Sequence, residues 1–467
     1  MTSWLPDISD RKGAKYLRIA DAIDDAIKQG DLLADTKLPP MRNLAYDLGV
    51  TLGTVSRAYQ EAERRGLVGG EVGRGTYIKG DGRYPQPRAP RAFALGGVRE
   101  NGINLSMAVP PLGDAGTHLA ETIREISEDT SLCGDLMDYQ GHSGLERHRD
   151  AGVRWVSRAA IQTDSSCITI TNGTQHGILV AMMALARPGD TILVENITYP
   201  GVIHVAAQLG MKLAPVEIDK DGMVPEALEA AIAEFRPTAV YLVPTIQNPT
   251  TAIMPLERRQ AIADILVRNR LLAIEDDIWG FLLNEELPSL AALAPEQVVH
   301  ITGLSKAMSP GLRVGYIAAP QGANDAIRAV ARMSSWMTPP LMAEVAMRWI
   351  QNGKGDKLIE WQRAEADARM RIAGDILSGF DIRGHDSCYQ IWLELPEPWR
   401  ADAFRQQAER RGIYFLSGES FVVGRQPAPH AIRICVGSCR TREEVEQGAS
   451  IIRELLESPA AAPPVVA

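Results

Sequence analysis

Lys306 lies in the run ITGLSKAMSPGLRVGY (301–316), directly after Ser305, and Arg313 follows seven residues later. A lysine amine attacks carbonyl carbon once it has lost its proton, and a nearby arginine suits an anionic group. Upstream, Gly173-Thr174-Gln175 falls between a β-branched run and a helix-length segment, where backbone N–H groups can meet an anion. Tyr199 in TYPG, Asn248 in QNPT, Asp276 in IEDD, Arg433 in IRICVG and Tyr139 in DYQGHSG complete the set. Taken singly, each has a bland reading. A lysine after serine is usually on the surface, Asp-Asp at a strand end is often a cap, and Asn-Pro is a common turn. The order and joint presence of an amine, a carboxylate, aromatic faces, two guanidiniums and an anion loop are what point to one site.

Those parts are what pyridoxal phosphate requires: a lysine for the imine, a carboxylate to keep the pyridine nitrogen protonated, a phosphate cradle and a stacking ring. Together the motifs resemble the fold type I, class I/II aminotransferases over essentially everything after residue 103. The resemblance implies that Lys306 is the imine lysine and Arg313 the phosphate arginine. It implies Asp276 on the pyridine nitrogen, Asn248 on the ring hydroxyl, Gly173, Thr174, Gln175 and Ser305 around the phosphate, and Tyr199 stacked on the ring. Tyr139 is similar to a tyrosine that reaches the partner subunit's phosphate, and Arg433 to an arginine that clamps an α-carboxylate in a bidentate way. Two positions depart from the pattern. Trp279 stands where a tyrosine is usual, so an indole N–H, a donor only, either replaces the phenol or simply packs. Gly303 stands where serine or threonine is usual.

A second, unrelated chemistry sits near the N-terminus, in LPPMRNLAYDLGVTLGTVSRAYQEAERRGLVGGEVGRGTYI (38–78). Apolar residues at helical spacing over 14–29 predict a first helix ending at Gly30. A second should begin after Pro40, Gly49 makes a turn, and Thr51 caps a third helix running to about Arg65. Gly73, Gly75 and Thr76-Tyr77-Ile78 suit a two-stranded wing. Thr51, Thr54, Ser56 and Arg57 lie on the helix that would enter a major groove, Arg42 could pair with a phosphate, and Arg74 could enter a minor groove. The string resembles the GntR family of winged helix-turn-helix regulators over residues 14–79. That resemblance implies DNA contacts at Arg42, Thr51, Thr54, Arg57 and Gly75. Leu52 and Gly53 depart from it, at positions where a polar or basic base reader is common.

Around these sites the chain must supply several structural units, since 467 residues exceed one ordinary domain. The expected organisation is a winged helix-turn-helix domain (1–79), a proline- and arginine-containing linker (80–102), an aminotransferase-like body (103–457) and a disordered tail (458–467). Within the body, the runs CITIT, TILVE, AVYLVP, LLAIEDD and VVHITG alternate with helix-length segments. That pattern predicts an α/β fold with a large, mainly parallel sheet to about residue 340. A small α+β domain follows from about 341, with strands near Tyr389–Leu395 and Ala431–Val436.

The formal charge of −9 argues against indiscriminate nucleic-acid binding. Residues 1–80, with twelve Lys/Arg against eleven Asp/Glu, are the less acidic part, and their basic residues gather late, at Arg57, Arg64, Arg65, Arg74 and Lys79. Five cysteines without a CxxC pair read as reduced thiols, and no metal site is expected. Neither a signal-peptide core nor a membrane-spanning run is present, so a cytoplasmic bacterial protein, on the nucleoid when bound to DNA, is expected.

A GntR-type head joined to an aminotransferase-like body resembles the MocR subfamily of regulators. This implies a head-to-tail homodimer that binds double-stranded operator DNA and senses an amino acid, an amine or pyridoxal 5'-phosphate itself through a Schiff base at Lys306. Two alternatives stay open: a working aminotransferase with an accessory head, and a regulator whose body only dimerises.

Overall fold

The computed structural model describes residues 4–6, 8, 14–29, 31–32, 36–65, 67–71, 75–78, 102–141, 143–283, 287–424 and 427–458. The expected linker (80–102, except Gly102), Arg74 and the expected tail (except Ser458) lie outside these residues. The chain divides into two compact units, 1–90 and 91–467. No described helix is long and apolar enough to cross a membrane.

In the first unit, α1 (Lys15–Gln29), α2 (Met41–Asp47) and α3 (Leu52–Arg64) precede a hairpin of β1 (Val68–Glu71) and β2 (Gly75–Ile78). The helical spacing of Ile19, Ile23 and Ala26 on α1, Leu44 and Ala45 on α2, and Val55, Ala58, Tyr59 and Ala62 on α3 gives each helix one apolar face. These faces close on one another as a buried core with Val68 and Ile78 of the hairpin. Full burial of each larger aliphatic side chain contributes about 1.5–3 kcal/mol. Gly49, at φ +60°, makes the turn between α2 and α3, a conformation that glycine adopts without strain. The Tyr59 hydroxyl donates to the Pro39 carbonyl at 2.8 Å and ties α3 to the entry of α2.

In the second unit a seven-stranded sheet forms from β3 (Ile168–Thr171), β4 (Thr191–Glu195), β5 (Lys212–Val216), β6 (Ala239–Leu242), β7 (Leu272–Asp277), β8 (Val298–Gly303) and β9 (Gly315–Ala318). Their order is β3-β9-β8-β7-β6-β4-β5. All pairings are parallel except those of β9, which runs antiparallel to β8 and β3. The five strands expected from sequence are all present. β5 and β9 were not anticipated, β5 because Pro215 interrupts its apolar run and β9 because it follows the lysine loop after a short turn. Most strands are buried on both faces, as β-branched runs covered by helices require.

A second, antiparallel sheet takes the order β10-β11-β13-β12 from β10 (Ile382–Arg383), β11 (Gln390–Glu394), β12 (Leu416–Ser417) and β13 (Ala431–Cys435). The long helix Lys354–Ile376 and the helix Arg442–Glu457 pack together beside this sheet.

Candidate functional site

The C-terminal ends of the parallel strands are where open α/β sheets present ligand sites, and the sequence candidates gather there. Asp276 ends the buried part of β7 and is 2% exposed. Its Oδ2 accepts a 2.6 Å hydrogen bond from the Tyr241 hydroxyl on neighbouring β6, while its Oδ1 is buried without a partner among the described residues. Burial pushes this carboxyl up to about 7; the Tyr241 hydrogen bond opposes the rise.

Lys306 follows β8, and its Nζ donates to the Ala108 carbonyl. The Nζ stands 5.7 Å from the centre of the Trp279 ring. Burial, with the cations Arg433 and Arg313 adding to it, pulls the amine down to about 8, whereas Cys435 acts the other way. Trp279 is fully buried, packed near Tyr389, and its indole Nε1 has no hydrogen-bond partner among the described residues.

An anion cradle forms at the end of β3. Gly173, at φ +79°, precedes the helix Thr174–Leu185, whose first N–H groups have no carbonyl within the helix to bond. Arg313, itself at φ +50°, donates from Nη2 to the Asn172 carbonyl (3.0 Å) and from Nη1 to Ser305 Oγ (3.4 Å). The Tyr199 hydroxyl donates to Gln175 Oε1 at 2.9 Å, and burial pushes the phenol up to about 12. Gly303 has a local reason: a Cβ there would stand 2.9 Å from the Thr174 methyl and 3.3 Å from the Val314 carbonyl.

Arg433, on β13, is 4% exposed and donates from Nη1 to Asn248 Oδ1 at 2.8 Å and from Nη2 to the Ser106 carbonyl. Its guanidinium carbon lies 5.1 Å from the centre of the Phe421 ring, and its Nε is buried without a partner among the described residues. Tyr139 stands apart from this set: it is 76% exposed and meets Trp336 edge-on. Tyr241, Phe421 and the Ala108 carbonyl were missed from sequence. Tyr241 reads there as one more apolar residue of a strand, and main-chain acceptors leave no trace in residue type.

The residues fit pyridoxal phosphate. A carboxylate oxygen at Asp276 and an indole N–H, both without a partner among the described residues, and a side-chain-free cradle against Arg313 suit its ring and phosphate.

In the first unit, Lys15, Tyr16, Thr51, Gly53, Thr54 and Arg57 line one shallow concavity. Thr51 caps α3 through a 3.3 Å bond from the Thr54 N–H, and the two hydroxyls are 2.9 Å apart. Arg57 and Arg42 are exposed, Ser56 is half-buried, and Gly75 opens β2 opposite Glu71. Ser56 and Arg42 do not line the concavity, whereas Lys15 and Tyr16, at the start of α1, do. Arg64 and Arg65 are occupied within the unit, both with Glu61 (2.8 Å) and Arg65 also with Asp21 (2.6 Å).

Residues 100–452 match the model of the aminotransferase class I and II family, and residues 15–78 match that of the bacterial regulatory proteins of the gntR family. The chain is 32% identical to the HTH-type transcriptional regulator YdeF of Bacillus subtilis, covering 97% of each chain. It is 26% identical to the vitamin B6 salvage pathway transcriptional repressor PtsJ of Salmonella typhimurium, over 91% of this chain and 96% of PtsJ. Among solved structures, an archaeal alanine:glyoxylate aminotransferase superposes with a TM-score of 0.70 at 24% identity, covering 76% of this chain and 91% of that one. The kynurenine aminotransferase of Pyrococcus horikoshii, solved with PMP, superposes equally well (TM-score 0.70, 22% identity, 76% and 91% covered). The fold is therefore that of a fold type I pyridoxal phosphate protein, and pyridoxal phosphate is the cofactor. The chain belongs to the MocR-type HTH transcriptional regulators, in which a GntR-type head is joined to a class I and II aminotransferase domain.

Proposed function

We propose that this regulator binds operator DNA through α3 and its wing, and that occupancy of the Lys306 pocket sets its affinity for that DNA. The observation that carries the reading is the Lys306–Asp276–Arg433 set: a buried amine drawn down to about 8, a carboxylate with one oxygen unpartnered, and a buried guanidinium. A body kept only for dimerisation would have no need to hold these groups in apolar surroundings, where unpaired polar atoms are costly.

Pyridoxal phosphate, when bound, supplies an aldehyde that condenses with amines and a ring that withdraws electrons from them. The residues divide the remaining work. Lys306 offers a largely neutral amine above about pH 8. Asp276, steadied by Tyr241, would accept a hydrogen bond at Oδ1 from the protonated ring nitrogen. Gly173, Thr174, Gln175, Ser305 and Arg313 would hold the phosphate, Tyr199 would cover the ring and Asn248 would serve its hydroxyl. Arg433 binds the carboxylate of an amino-acid effector. An amine effector, or the cofactor itself as the signal, would use the same pocket without Arg433.

An effector shifts the protein between conformations only by its differential affinity for them. We place the transmission in residues 80–102, a linker by composition, between a DNA-binding domain ending at 79 and a body of 103–457. The exposed Met137, Tyr139 and Trp336, 85%, 76% and 51% exposed, support a second copy docking over this face. That copy would bring Tyr139 to its partner's phosphate in a head-to-tail homodimer acting on nucleoid DNA in the cytoplasm.

The test is a gel shift on DNA flanking the protein's own gene, with wild type and Lys306→Ala, each with and without pyridoxal phosphate. Specific binding that changes with cofactor only in the wild type supports the reading. Binding indifferent to both would sink it. The intact Arg433 favours one second reading, a working aminotransferase with an accessory head. Steady turnover of an amino acid with a 2-oxo acid would establish that instead.

A further inference from the structure

We infer that Leu52 reads the methyl group of a thymine in the major groove, and that Gly53 is bare so that the duplex can approach closely. The inference rests on the reading of α3 as the recognition helix. The fold accounts for most of that helix. Val55, Ala58, Tyr59 and Ala62 are buried in the core, Thr51 caps the N-terminus, and Arg64 is ion-paired to Glu61.

Of the residues that this leaves, two are adjacent and are not polar. Leu52, the first residue of α3, is 46% exposed. Gly53 holds a regular helical position, where glycine is less stable than alanine. Among the described residues nothing requires it: a Cβ there would meet only Thr51 Oγ1, at an ordinary 3.9 Å. Packing does not explain a missing side chain beside an exposed apolar one. Close approach of a partner surface does, since glycine is the residue that lets a backbone come near a ligand.

The surroundings identify that surface. Gly53 shares its concavity with Lys15, Tyr16, Thr51, Thr54 and Arg57, two cations and three hydroxyls suited to phosphate oxygens. An apolar side chain at the tip of the same helix then faces base edges. The C5-methyl of thymine is the apolar group that the major groove displays. Leu52 therefore discriminates thymine by contact, where a polar side chain would do so by hydrogen bonding.

The test uses the full chain. Duplexes are selected from a randomised pool, and each thymine of the selected duplex is replaced singly by deoxyuridine, which removes the methyl and keeps the pairing. Wild type is expected to lose about fourfold in affinity at one thymine per half-site, the value of burying one methyl group. Leu52→Ala is expected to bind the thymine and uracil duplexes alike at that position. Gly53→Ala is expected to bind both more weakly while melting no lower than wild type. Equal wild-type affinity at every substituted position, or discrimination retained by Leu52→Ala, overturns the inference. A selection that returns no preferred duplex removes the recognition-helix reading along with it.

Discussion

Gly173 and Arg313 share one space: a Cβ on Gly173 would stand 2.7 Å from Arg313 Nη2 and 3.0 Å from its guanidinium carbon. Both residues hold positive φ, +79° and +50°. Gly173→Ala would therefore strain the backbone and displace the guanidinium from the cradle at once. Left-handed backbone at a non-glycine residue costs about 1–3 kcal/mol, so cofactor affinity is expected to fall at least about fivefold. Titration of cofactor absorbance against protein measures it. An affinity equal to wild type would show that this cradle does not hold the phosphate.

How much of this was legible beforehand follows from what residue types carry. Lys306, Asp276, Arg313 and Gly173 could be found because their chemistry demands those types at motif spacing. Tyr241 could not, because its place in AVYL is set by strand pairing with β7, which puts its hydroxyl on Asp276. The concave face of the head was half legible. Thr51, Thr54 and Arg57 share one helix and could be read together. Lys15 and Tyr16 join them only through the packing of α1 on α3. Arg64 and Arg65 read as free positive charge, yet Glu61 and Asp21 pair with them.

Tyr241→Phe tests the support behind Asp276. The hydroxyl lowers a carboxyl that burial alone would hold higher, so its loss moves Asp276 further above about 7 and leaves less carboxylate near neutrality. A hydrogen bond to a charged group contributes about 1.5–3 kcal/mol, so cofactor affinity at pH 7 is expected to fall roughly tenfold or more. Below about pH 6 wild type also loses the carboxylate, and the two proteins should converge. A pH series of cofactor titrations checks both; a difference independent of pH would mean that Tyr241 acts by packing.

The Lys306 amine should titrate near pH 8, below its ordinary 10.5. Folding disfavours its protonated form. The cost of burying this group is thus fully present below about pH 8 and is relieved as pH rises toward 10.5. Acetic anhydride labelling of Lys306 in the cofactor-free protein, followed by mass spectrometry, should rise with a midpoint near 8. Arg433→Met removes a neighbouring cation and should move the midpoint upward. A wild-type midpoint near 10.5 would place the amine in water.

Arg57→Ala should weaken DNA binding without unfolding the head, because the guanidinium is exposed on a helix whose core lies on the opposite face. Loss of one phosphate contact lowers the slope of log affinity against log salt by about 0.9. Fluorescence anisotropy at several salt concentrations gives that slope. Thr51→Ala is a poorer probe, since loss of an N-cap costs about 1 kcal/mol of helix stability by itself. An unchanged slope in Arg57→Ala would remove Arg57 from the phosphate contacts.

Trp279 combines two properties that pull in different directions. Its ring is fully buried among apolar neighbours, and its indole N–H is buried with no acceptor. Leaving such a donor unpaired costs about 1–3 kcal/mol, so a residue kept only for packing would be better replaced by one without the N–H. A hydroxyl oxygen on the cofactor ring would relieve it, and Lys306 Nζ lies 5.7 Å from the centre of the same indole. Trp279→Phe separates the two roles. In the cofactor-free protein it loses packing area but also the unpaired donor, so the melting temperature should change little. With cofactor the hydrogen bond is gone, so affinity should fall about tenfold and the stabilisation that cofactor confers on melting should shrink with it. Equal affinity in the two proteins would make Trp279 a packing residue and nothing more.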